Sequence, residues 1–182
     1  MSTSTSTPQN KTTKQAGQAP DPAAMEMMQP GPEHARLAKT VGTWKVACTC
    51  WMPGDATPKK STGTAKVTSV FDGRYTREEF HGEFDGKPYQ GVGTMGYDRA
   101  AKQYVCTWYD NMGTGIVRTT GPAVSGNANL ELRGEMVCPM NGPTTIRQVF
   151  SYGTDDRHTL TMYNTNNGKE NKTMEIVYTR ER

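Results

Sequence analysis

Two stretches of this sequence set chemically capable residues at alternate positions: Tyr75, Arg77, Glu79 and His81, then Tyr104, Cys106, Trp108 and Asp110. On an extended strand, alternate residues share a face. Trp108 and Asp110 would then stand side by side near a strand end. That suits a pocket mouth, where a ring stacks on a ligand and a carboxylate orients its polar group. The plainer reading makes Trp108 core and Asp110 a cap on its own turn. Glu79 and Asp110 could do general acid/base work if the fold brings them together. Arg147 shares a face with Thr145, Val149 and Ser151, and Glu175 with Thr173, Val177 and Thr179. If Glu79, Asp110, Arg147 and Glu175 all face inward, Arg147 should pair with an acid or a ligand, because an unpartnered buried charge is costly. If they face outward, they are a solvated surface.

No complete catalytic motif accompanies these residues. There is no G-x-S-x-G elbow, no H-E-x-x-H and no phosphate loop. His81 lies beside the Gly82 turn signal and reads as exposed. Of the four cysteines, Cys48 and Cys50 form C-x-C rather than C-x-x-C. On a strand both thiols point the same way, and the plain reading is small buried hydrophobes. The three histidines, His34, His81 and His158, are far apart. No metal and no cofactor is expected. The net charge of +3 is scattered, and Pro58-Lys59-Lys60 is the nearest thing to a basic run. Nucleic acid is therefore not an expected partner. No segment has the apolar length of a membrane span, and no secretory h-region follows Met1. A cytoplasmic location without membrane contact is expected.

The elements that must position these side chains are strands. Residues 1–30 are rich in Ser, Thr, Gln and Pro, hold no aromatic residue, and predict a disordered tail. Residues 31–182 form the expected single domain. Glu33–Thr40 has good helix formers, with Leu37 and Val41 four apart, and predicts a two-turn helix. From Gly42 onward the period is two. Strands are expected over 42–51, 61–71, 74–83, 87–97, 103–109, 115–120, 129–138, 143–152, 158–164 and 169–180. Turn signals such as Asp72-Gly73, Asp85-Gly86, Asn141-Gly142 and Asn166-Asn167-Gly168 separate them. The links are too short for parallel crossovers, so the sheet must be antiparallel. An all-β, up-and-down barrel of about ten strands removes the edges that an open meander would expose. A two-sheet sandwich is the alternative.

Gly42-Thr43-Trp44, after a short helix and opening the first strand, resembles the G-x-W entry of lipocalins and other calycins. Gly91-Val92-Gly93, Gly96-Tyr97-Asp98, Thr107-Trp108-Tyr109-Asp110 and Met174-Glu175-Ile176-Val177-Tyr178 follow in order. Together they resemble a mainly bacterial family of calycin-like barrel domains of unknown function. The resemblance implies the barrel and no activity, and Glu79, Asp110, Arg147 and Glu175 fall at positions matching its pattern. Haem-binding nitrobindin-type barrels carry a longer Gly-rich extension where Lys45-Val46-Ala47 stands here, and no histidine lies in the last strand.

The leading expectation is a non-catalytic, lipocalin-like binding barrel for a small, partly apolar molecule. Trp44, Tyr97 and Trp108 would supply wall, and Glu79, Asp110, Arg147 and Glu175 polar anchors. One alternative is a small isomerase or hydrolase using the same acids. Another is a filled, self-associating module, for which a homodimer is expected.

Overall fold

The computed structural model describes residues 21–182 apart from 53, 55, 127 and 128. Its strands are β1 (Gly42–Cys50), β2 (Lys59–Val70), β3 (Tyr75–Phe84), β4 (Lys87–Asp98), β5 (Gln103–Asp110), β6 (Val117–Pro122), β7 (Leu130–Cys138), β8 (Gly142–Thr154), β9 (Arg157–Asn166) and β10 (Lys169–Arg180). Each pairs antiparallel with the next, and β10 returns to β1, so the expected ten-stranded up-and-down barrel closes. The closing register pairs Trp44 with Arg180 and Cys50 with Met174. Closure leaves no edge strand to template aggregation.

The turn chemistry is local. Asp85-Gly86 and Asn167-Gly168 each have φ near +50° to +75° at both central residues. That is the twist a two-residue hairpin needs, and Asp-Gly and Asn-Gly adopt it at low cost. Alternation then fixes one inward face per strand. On β1 it is Trp44 and Val46, on β2 Ala65 and Val67, on β3 Thr76 and Phe80, all buried.

Two helices precede the barrel. α2 (Pro32–Ala38) is the expected helix, starting at a proline whose missing N–H is no loss at that position. The Gly31 N–H donates to His34 Nδ1 at 2.9 Å, which fixes that nitrogen as an acceptor. α2 plugs one end of the barrel. Leu37 packs into a buried cluster with Tyr104, Leu130 and Leu132. The Tyr104 hydroxyl donates to the Glu33 carbonyl at 3.1 Å.

α1 (Pro22–Met27) corrects the expectation of disorder for the later part of residues 1–30. Asp21 caps it by accepting from the Ala23 N–H at 3.0 Å. A six-residue helix is too short to persist alone. Two arginines from distant turns hold the segment: Arg74 donates to the Met28 carbonyl and the Gln29 side chain, and Arg99 to the Glu26 and Gln29 carbonyls. Expected disorder over residues 1–20 lies outside the described residues. No helix among the described residues is long and apolar enough to cross a membrane.

Candidate functional site

The lumen is packed most tightly at the α2 end. Trp44, Tyr104, Leu130 and Leu132 keep at most 1% of their surface exposed. Farther along the same inward faces, Cys48, Glu78, Cys106, Trp108, Phe150, Met162 and Ile176 are only half-buried. Of these, Trp108, Phe150, Met162 and Ile176 pack against the buried cluster around Trp44 and Phe80. The inward faces here are of mixed character, with apolar Phe150, Met162 and Ile176 beside Glu78, Cys106 and Trp108. An interior of this strand number is wide enough for one small ligand.

Trp108 and Asp110 share the inward face of β5, and the structure brings them together. The indole N–H donates to Asp110 Oδ2 at 3.0 Å, and the Tyr89 hydroxyl donates to the same oxygen at 2.9 Å. Asp110 Oδ1 accepts the Met112 N–H at 2.9 Å. Asp110 thus caps its own turn and also braces the indole. Burial and the adjacent carboxylate push the Tyr89 hydroxyl well above its ordinary range. Gly91 explains how the ring fits. A Cβ there would lie 2.1 Å from Trp108 Cζ2, so only glycine lets the indole lie on the β4 backbone.

Glu78 is the second inward carboxyl. Glu78, Gly93 and Trp108 are register partners on β3, β4 and β5, so acid and indole face inward from one level of the barrel. The Tyr178 hydroxyl reaches from β10 and donates to Glu78 Oε1 at 3.2 Å. Among the described residues this is its one hydrogen bond. Burial pushes the Glu78 carboxyl up to about 7, with the Tyr178 hydrogen bond opposing. Burial, with Glu78 nearby, also pushes the Cys106 thiol up to about 12. Thr119 donates to Gln148 at 2.6 Å, and Asn164 Oδ1 is buried without a partner among the described residues. Cys48 and Cys50 both point inward, as C-x-C on a strand requires, with sulfurs 3.4 Å apart in a thiol hydrogen bond.

The other sequence-derived candidates lie elsewhere, and this corrects the inward reading of three of them. Glu79 is on the outer face, paired with Arg77. Arg147 is also outside. It donates from Nε and Nη2 to Glu170 at 2.9 and 2.6 Å, and its guanidinium stacks 3.9 Å above the Tyr163 ring. Glu175 is outside, bonded to Lys172 at 2.6 Å. Glu79 and Asp110 therefore face opposite sides of the wall and form no acid/base pair. Tyr97 lies at the plugged end, 4.9 Å from the Tyr104 ring. Trp44 is floor: its N–H donates to the Thr40 carbonyl at 2.8 Å, and its ring meets His158 edge-on at 4.4 Å. Arg147→Ala is expected to leave the lumen unchanged and to cost about 1–2 kcal/mol, because it removes a two-pronged ion pair and the packing of the guanidinium on Tyr163. Chemical denaturation and a near-ultraviolet dichroism spectrum check both points.

Glu78, Tyr89 and Tyr178 were missed. A signal for Glu78 existed: Glu78 and Glu79 are consecutive, so one must face in, and Phe80 shares parity with Glu78. No local signal links Glu78 to a tyrosine 100 residues away.

A second concavity of about 470 Å³ runs between α2 and the barrel end, beside Arg36, Thr40, Tyr152 and His158. Several of its polar groups are engaged by protein partners, Trp44 with Thr40 and Arg36 with the Gly126 carbonyl among them. It is a packing seam, whereas the lumen holds an under-bonded carboxyl. No cluster of three or more His, Cys, Asp or Glu able to hold a metal exists among the described residues.

Comparison with known proteins agrees on the fold. The crystal structure of Rv2717c from M. tuberculosis matches with a TM-score of 0.61 and 15% identity, over 85% of this chain and 100% of that one. The S-type phycobiliprotein lyase CPES from Guillardia theta matches with a TM-score of 0.56 and 10% identity, over 90% and 99%. Identities this low speak for the lipocalin-like barrel alone. No curated protein matches the chain. The family model described as a protein of unknown function, DUF1579, matches residues 29–180, and the chain therefore belongs to that family.

Proposed function

We propose that this barrel binds a small, partly apolar molecule in its lumen without transforming it. One observation carries the reading: inward residues in the middle of the ring, Glu78, Cys106 and Trp108 among them, keep accessible surface. A barrel built only as a scaffold gains by filling such a space, because unfilled volume forfeits packing energy. The rim favours an apolar guest. Met112, Ile116, Val137 and Met140, on or beside the turns at the unplugged end, are 59–75% exposed. Apolar surface clustered at a pocket entrance is what entry of such a molecule from water or from a carrier surface calls for.

Native mass spectrometry of freshly purified full-length protein tests the proposal. A retained small mass is expected, and Trp108→Ala is expected to release it by removing the wall that Asp110 and Tyr89 brace. Failure to retain any mass, together with failure to bind added apolar probes, overturns the reading.

A further inference from the structure

The geometry points to the chemical class of the guest: we infer that the lumen takes a molecule with an apolar body and a hydrogen-bond donor at one end, a protonated amine best of all, and that Glu78 receives that donor. The inference rests on the lumen-binding reading above and names the chemistry of the same site.

Three observations lead there. Glu78 stands on the inward face of β3 between Thr76 and Phe80, both buried, and is itself half-buried. It has one partner, the Tyr178 hydroxyl at 3.2 Å on Oε1. A carboxyl group can accept several hydrogen bonds when ionised, so Oε2 offers unused acceptor capacity. The polar groups around it supply no cation. Tyr178 and Cys106 are the titratable neighbours, and both are neutral when protonated. Arg180, which reaches inward at the plugged end, is spent on the backbone carbonyls of Lys39, Val41 and Asp155 and on the Trp44 ring. Asn164, inward on β9, adds a second acceptor without a donor. Glu78 Oε2 and Asn164 Oδ1 are thus inward acceptors that no described side chain meets, and a guest supplying an N–H completes them. A buried carboxylate is costly unless a positive or hydrogen-bonding partner meets it. A guest carboxylate meets the opposite situation, with its charge set against Glu78 and no base to receive it.

The test uses three probes with one apolar body and different heads: decylamine, decanol and decanoate. Binding to the full-length protein is followed by tryptophan fluorescence at pH 8. Decylamine is expected to bind about tenfold more tightly than decanol, and decanol more tightly than decanoate, as charge-assisted hydrogen bonds outrank neutral ones. Glu78→Gln, which preserves shape, should remove the tenfold amine preference and leave decanol within about twofold of wild type. Tyr178→Phe, which withdraws the competing donor and keeps the ring, should raise the preference further. It also serves if Glu78→Gln folds poorly by dichroism. Equal binding of the three probes, unchanged in both variants, overturns the donor assignment and leaves the binding barrel standing. Failure of all three to bind the wild-type protein at millimolar concentration removes the binding reading itself, and the assignment with it.

Discussion

Trp44→Ala is expected to lower unfolding free energy by about 3–5 kcal/mol, the range for deleting a buried large aromatic. Trp44 is 1% exposed and belongs to the cluster of Val46, Ala65, Val67, Phe80, Leu160 and Tyr178 that lines one side of the barrel. Its ring meets His158 at 4.4 Å and carries the Arg180 guanidinium 4.1 Å above it. Its N–H satisfies the Thr40 carbonyl at the end of the helix segment. Alanine removes the floor and leaves that carbonyl unpaired. The Arg180 side chain also loses the surface on which it lies while it clamps Lys39, Val41 and Asp155. Trp44→Phe keeps most of the volume and should recover roughly half of the loss. Guanidinium denaturation followed by far-ultraviolet dichroism measures both. A loss below about 1 kcal/mol in Trp44→Ala would mean that α2 and the floor are not coupled as described.

Acid and base should pull on this barrel in opposite directions through two buried groups. Burial raises Glu78 from its ordinary 4.5 to about 7. The folded protein then holds this proton where the unfolded chain has released it. Its contribution is complete below pH 4.5 and is lost as pH climbs through about 7. Burial first, then the Arg180 charge, lowers His158 from 6.5 to about 4. Here the unfolded chain takes up a proton that the folded state refuses. That contribution is complete above pH 6.5 and is lost as pH falls toward 4. Between pH 4.5 and 6.5 the two slopes oppose each other in the wild-type protein. Glu78→Gln should gain on wild type as pH rises from 4.5 to 8, by up to about 3 kcal/mol. His158→Phe should gain on wild type as pH falls from 7 to 4, by a similar amount. Denaturation of each variant beside wild type at five pH values separates these groups from the surface carboxylates, which titrate in all three. Difference curves that stay flat with pH would sink the assignment of both groups.

The fold was written locally, and the site only partly so. Hairpin dipeptides at 85–86 and 167–168 and a sustained period of two delimit the strands to within a few residues. Which face of each strand points inward was harder, because this lumen is itself partly polar. Thr76, Glu78, Thr119, Thr144, Gln148 and Asn164 stand inside, while Val92, Val149 and Val177 stand outside. That blurs the contrast on which parity depends. Thr173, Val177 and Thr179 made the outer face of β10 look like the wall, although Met174, Ile176 and Tyr178 occupy the inner one. On β5, Tyr104, Trp108 and Asp110 share one parity, which made its inner face legible despite Tyr109 on the other side. α1 had only a short signal, the Asp21 cap before Pro22, set in a polar stretch, and arginines from distant turns rather than its own propensity hold it.

The seam between β1 and β10 makes this ring a structure that only the whole chain can complete. A ribosome delivers Gly42–Cys50 about 120 residues before its partner Lys169–Arg180. In that interval the growing sheet carries two unpaired margins, one on β1 and one on the strand most recently made. A nascent chain in this state is exposed to pairing with a neighbour on the same message, and the hazard ends when the tenth strand arrives. The rate at which the last dozen residues find Trp44 and its neighbours would then set how long that exposure lasts, because closure across so much sequence is slow.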